Sequence, residues 1–127
     1  MKTILVDAIN TFVDKKEGIF KEMYELLEKY PNRKIVLSGA NDEQIEMFGL
    51  KDLPYELFTL KHNPEKTDPA YYEMMLKHFD LEKDEVIYFE HDSEAVESAR
   101  KAGIFTLLYD QHKKDLVELK AFLDSNL

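Results

Sequence analysis

The tightest constraint on this chain is a short apolar run that stops at an acid. Thr3-Ile4-Leu5-Val6 is too brief for a helix and rich in residues that strands favour, so it reads as a buried strand ending at Asp7. The device recurs. Lys34-Ile35-Val36-Leu37 ends at Ser38, and Glu85-Val86-Ile87-Tyr88-Phe89 runs into Glu90-His91-Asp92-Ser93. Tyr55 to Leu60 and Ile104 to Leu108 read as two more strands. Near-continuous apolar runs of this kind suit strands covered on both faces.

Helical patterns fill the intervals. After a polar connection from Asn10 to Glu17, the residues Ile19, Phe20, Met23, Leu26, Leu27 and Tyr30 make one apolar face, which Pro31-Asn32 closes. A short acidic helix follows Gly39-Ala40-Asn41 and stops near Gly49. Asp68-Pro69 reads as a cap followed by proline at the first helical position, opening a helix with Tyr72, Met75, Leu76 and Phe79 inward. Ser93 reads as the cap of a fourth helix that Gly103 terminates, and Leu116, Leu119, Lys120 and Leu123 belong to a fifth. Five strands alternating with five helices predict parallel pairing with right-handed crossovers, an α/β fold of three layers. In such a sheet ligands sit outside the carboxyl ends of the strands, and Asp7, Ser38 and Glu90-His91-Asp92 all fall there.

Composition narrows the chemistry. The 127 residues fit one domain, and 44% apolar with 34% charged is an ordinary folded composition. A net charge of −9 argues against nucleic acid as a partner, because a phosphate backbone needs a basic footprint. With no cysteine there is neither a disulfide framework nor a thiolate metal site. No apolar run is long enough to span a membrane, and the first run lacks the features of a signal peptide, so a cytoplasmic protein is expected.

Asp7, Ser38, Lys66 and the acidic run after the fourth strand form an ordered set suited to phosphoryl transfer. A carboxylate attacks phosphorus and forms an aspartyl phosphate. A serine hydroxyl and the backbone N–H groups beyond it, here from Gly39, hold phosphate oxygens. A lysine neutralises the transferring group, and further carboxylates suit Mg²⁺. The competing structural roles are a turn-capping aspartate, a helix-capping serine and a solvated acidic loop. His62, His78 and His112 read as surface residues, and the Tyr71, Tyr72, Met74, Met75 cluster as helix core.

In this order the residues resemble the haloacid dehalogenase superfamily. Asp7-Ala8-Ile9-Asn10-Thr11 is similar to its first motif, Asp-x-Asp-x-Thr, and Ile35-Val36-Leu37-Ser38 to its second. Lys66-Thr67-Asp68-Pro69 resembles the third, and Val86 to Ser93 the fourth. The resemblance covers nearly the whole chain. It implies a single Rossmann-like domain over residues 1–127 with strand order 5-4-1-2-3 and no cap domain. It also implies a nucleophile at Asp7, a phosphate site at Ser38, Gly39 and Lys66, and Mg²⁺ held by Asp7, the carbonyl of Ile9, and Asp92 or Glu90.

Three positions depart from the pattern. The second acid of the first motif, a general acid and base, is Ile9, and in the fourth motif His91 and Ala95 stand where acids are expected. The expected function is an Mg²⁺-assisted phosphohydrolase, slow for want of the proton-transfer residue. The alternative is an inactive domain kept as a binding or regulatory module. Without a cap, the site would take a small phosphorylated molecule or a protein partner. A receiver domain of the response-regulator type is excluded by chain order, since its phosphoacceptor follows the third strand.

Overall fold

A computed structural model describes residues 1–127. Five parallel strands form the central sheet: β1 (Thr3–Asp7), β4 (Lys34–Ser38), β5 (Glu56–Thr59), β6 (Val86–Glu90) and β7 (Phe105–Leu108). Their order across the sheet is β5-β4-β1-β6-β7, so β1 is central and the expected order holds. β2 (Val13–Asp14) and β3 (Gly18–Ile19) form a small antiparallel hairpin: β2 falls in the stretch read from sequence as a polar connection, whereas Ile19 and Phe20, read as the start of a helical face, are a strand residue and the cap of a helix that begins only at Lys21. Gly18 adopts φ +73°, a left-handed turn conformation that glycine reaches without a Cβ penalty.

Alternation along the strands splits the core in two. On one face, Ile4, Val6, Val36, Ile87 and Phe89 pack against α1 (Lys21–Leu27), α2 (Asp42–Met47) and α5 (Leu116–Asn126). On the other, Leu5, Ile35, Leu37, Val86 and Tyr88 pack against Tyr71, Tyr72 and Met75 of α3 (Pro69–His78) and Ala99 of α4 (Ser93–Lys101). Met74, read as core, is 46% exposed, because it lies on the outward face of α3. No second domain is inserted between β1 and β4 or between β4 and α3. No helix is long and apolar enough to cross a membrane.

Helix starts follow the expected chemistry with one correction. The Asp68 side chain accepts from the Ala70 N–H at 2.9 Å, with Pro69 at the first helical position. The cap of α4 is Asp92 rather than Ser93: its carboxylate accepts from the Glu94 N–H at 3.2 Å, and Ser93 is already helical.

Candidate active site at the carboxyl edge of the sheet

Register brings the acids together. Val6 pairs with Phe89 across β1 and β6, so Asp7 and Glu90 are the next residues on adjacent strands. Both share the parity of Leu5 and Tyr88, which places them on the α3 side of the sheet. The loop that opens α3 carries Lys66 to the same point. Its Nζ lies 2.7 Å from Asp7 Oδ1 and 2.7 Å from Glu90 Oε1.

His91 completes the cluster. Its Nδ1 is 2.5 Å from Asp7 Oδ2, 3.2 Å from the Thr11 hydroxyl and 3.3 Å from Glu90 Oε2. The hydrogen bonds to Asp7 and Glu90 push the imidazole pKa up to about 10, outweighing burial, so His91 is a cation near neutrality. Burial pushes Asp7 up, but Lys66 and His91 pull harder and hold it well below the usual carboxylate range. Burial acts to lower Lys66, and the charges of Asp7 and Glu90 overcome it, raising the ammonium well above its ordinary value.

The remaining acceptors are satisfied as well. Thr11 Oγ1 donates to Asp7 Oδ2 at 2.6 Å, a role the sequence reading gave to no residue, although Thr11 stands in the quoted motif. Tyr88 OH donates to Glu90 Oε1 at 2.5 Å, and the N–H groups of His91 and Asp92 donate to Glu90 Oε2 at 3.0 and 3.2 Å. Two acids and two bases thus form one closed network. Such a network is stable in a buried setting only because each carboxylate oxygen has at least one donor.

An open cleft of about 700 Å³ lies over this cluster, and Asp7, Ile9, Ser38, Gly39, Lys66, Glu90, His91, Asp92 and Ala95 all line it. Ser38 is buried; its hydroxyl accepts from the Ala40 N–H at 2.9 Å, and its carbonyl accepts from Tyr71 OH at 2.6 Å. His62 and His112 are exposed, as read from the sequence, and line the same cleft. His62 is held between Glu65 Oε2 (3.0 Å) and Gln44 Oε1 (2.7 Å), beside Gly39. Its loop folds back over the end of β4, which local polarity does not encode. His78 instead packs its ring on Phe58 and Phe79.

Asp7, Glu90 and His91 make the one group of three side chains that could hold a metal ion, with ligand atoms within 4.8 Å of one another. Its donors suit Mg²⁺ poorly. Each oxygen of Asp7 and Glu90 already accepts a hydrogen bond, and the third donor is an imidazole nitrogen, whereas Mg²⁺ demands a near-octahedral shell of oxygens.

The model of the haloacid dehalogenase-like hydrolases matches residues 8–109. This chain belongs to that family. The match begins one residue past Asp7, so the placement of that side chain rests on the geometry above. Among solved structures, an uncharacterised protein from Corynebacterium glutamicum is 16% identical with a TM-score of 0.59, over 94% of this chain and 92% of its own. The core domain of a candidate phosphoglycolate phosphatase from Streptococcus pneumoniae is 17% identical (TM-score 0.56), over 83% and 77% of the two chains. A haloacid dehalogenase-like protein of unknown function from Agrobacterium tumefaciens is 18% identical (TM-score 0.59), over 70% of this chain and 44% of its own. At these identities the likeness is one of fold. Curated proteins gave no significant match.

Proposed function

We propose that this family member is a slow phosphohydrolase working through an aspartyl phosphate on Asp7. The supporting observation is the position of Asp7, at the carboxyl end of the central strand, facing an open cleft and held at Oδ1 by Lys66. Attack by an Asp7 oxygen forms the O–P bond as the leaving oxygen departs with its electron pair. Lys66 faces the charge on the phosphoryl oxygens, and Ser38 and Gly39 border the space they enter. Water then attacks phosphorus, the Asp7–phosphate bond breaks, and inorganic phosphate leaves.

Proton transfer is the weak step. Ile9 lines the cleft where the family pattern places an acid, and a hydrocarbon side chain neither gives nor takes a proton. Activated leaving groups, which depart as stable anions, are therefore favoured. Mg²⁺ assistance belongs to the reading drawn from the family, with Asp7, the Ile9 carbonyl, and Glu90 or Asp92 as its holders. Bound there, the ion would screen charge between nucleophile and phosphate. The poor fit of the donor set argues that this chain departs from that arrangement, and no step above depends on the ion. A small phosphorylated molecule fits a cleft of about 700 Å³ with Lys66, Ser38 and Gly39 on its wall; a protein partner over the open site is the second reading.

A binding module is the competing reading, favoured by one observation: Asp7 is already held at both oxygens by Lys66, Thr11 and His91. The test is phosphate release from an aryl phosphate, with acid-quench trapping of phosphoprotein, in wild type and Asp7→Asn. Release that needs Asp7 supports the hydrolase. A phosphate-binding protein with no Asp7-dependent release supports the module.

A further inference from the structure

We propose that the His91 ring occupies the place of the divalent cation in this site, so that the phosphoryl chemistry of Asp7 runs without a bound metal. The inference rests on the phosphohydrolase reading for its chemistry and on geometry for its placement. Nδ1 of His91 is surrounded by oxygens from three separate segments: Asp7 Oδ2 on β1 at 2.5 Å, Thr11 Oγ1 on the following turn at 3.2 Å, and Glu90 Oε2 on β6 at 3.3 Å. That is an oxygen cage with a ring nitrogen at its centre. Asp7 Oδ2 is already engaged by the His91 ring at 2.5 Å, so a cation reaching that oxygen would have to displace the ring, and an imidazole nitrogen is a poor member of the oxygen shell that Mg²⁺ prefers.

The neighbouring acids offer no second cage. Glu90 spends Oε1 on Lys66 and Tyr88, and Oε2 on two backbone N–H groups. Asp92 spends Oδ1 on capping α4. The His91 backbone N–H also reaches Asp7 Oδ2, at 3.3 Å, so main chain and ring both clamp the oxygen that a metal would hold. Asp7 is thus flanked by Lys66 on one oxygen and His91 on the other. As the O–P bond forms and the bond to the leaving oxygen breaks, the phosphoryl oxygens meet N–H donors on both sides. No metal-bound group is needed for atoms or charge to balance.

The test is a Mg²⁺ titration of wild type, Asp7→Asn and His91→Asp, read by thermal midpoint, with aryl phosphate hydrolysis measured in EDTA and in Mg²⁺. The inference expects no midpoint shift in wild type and a rate unchanged by EDTA. It expects His91→Asp, which restores an oxygen donor, to show a midpoint rise of a few degrees with Mg²⁺ and a rate lost in EDTA and recovered with Mg²⁺. A saturable rise in wild type that Asp7→Asn removes overturns it, as does loss of wild-type rate in EDTA with recovery on Mg²⁺. If His91→Asp does not fold, the wild-type titration alone decides. Absence of hydrolysis under every condition, with no wild-type shift, overturns the phosphohydrolase reading and leaves the placement of His91 standing.

Discussion

Lys66 Nζ lies 2.7 Å from Asp7 Oδ1 and 2.7 Å from Glu90 Oε1, so one ammonium bridges two buried acids on neighbouring strands. Removing it takes the shared ammonium from both, leaving Asp7 to Thr11 and His91 and Glu90 to Tyr88 and backbone N–H groups. Lys66→Met is expected to destabilise the fold by about 3–5 kcal/mol, the cost of breaking a buried pair rather than replacing it. Urea denaturation measures this directly. A loss below about 1 kcal/mol would mean that the pairing resembles an exposed surface bridge.

Ile9→Asp places a carboxyl group on the cleft wall two residues from Asp7, the proposed nucleophile. General acid catalysis contributes about 10²–10⁴-fold, so turnover of an unactivated alkyl phosphate should rise within that range. An aryl phosphate, whose leaving group needs little protonation, should gain far less. Equal gains on both substrates, or none, would remove the missing acid as the cause of slow turnover.

The His91 pKa is raised from 6.5 to about 10 in the folded state. A group raised on folding contributes stability that is complete below its unfolded pKa and is lost as pH climbs through the folded one. The thermal midpoint should therefore fall between pH 7 and about 10, and His91→Gln should flatten that arm. Asp7 acts in the opposite direction. Its folded pKa is depressed, so its contribution is present above about 4 and disappears as the solution is acidified.

Tyr109 is 2% exposed, and its hydroxyl has no hydrogen-bond partner within the protein. Its ring packs against Phe89 with centroids 6.2 Å apart, and its backbone N–H donates to the Glu90 carbonyl. Tyr109→Phe keeps both contacts and removes only the orphaned group. The midpoint should hold or rise, since an unpaired buried hydroxyl costs about 1–3 kcal/mol. A clear fall would reveal a bond that the hydroxyl makes in solution.

The middle of the sheet was legible from sequence because β1, β4 and β6 are buried on both faces, which leaves apolar runs without helical spacing; the edge strands β5 and β7 are partly exposed and signal less strongly. Asp7, Ser38 and Glu90 were legible for a related reason: each is the first polar residue after such a run. Lys66 needed its place before Asp68-Pro69, a helix start written in local chemistry. His62 was not legible, since nothing near it in sequence tells that its loop returns over Gly39 to meet Gln44. The hairpin of Val13–Asp14 with Gly18–Ile19 was hidden too, being only two residues deep on each side. His91 stood out as a departure from a pattern. Its contact with Asp7, 84 positions away, belongs to strand pairing and not to any stretch of sequence.

The alignment of Val6 with Phe89 makes the sheet a ruler for the site. Loop lengths between the strands can drift without moving Asp7 relative to Glu90, because ladder hydrogen bonds fix that spacing. One residue added inside β6, between the paired segment and Glu90, would turn the acid toward the α1 and α5 side and leave Lys66 facing Asp7 alone. Chains descending from this one are thus free to vary at the rim of the cleft, while its floor can change only by substitution.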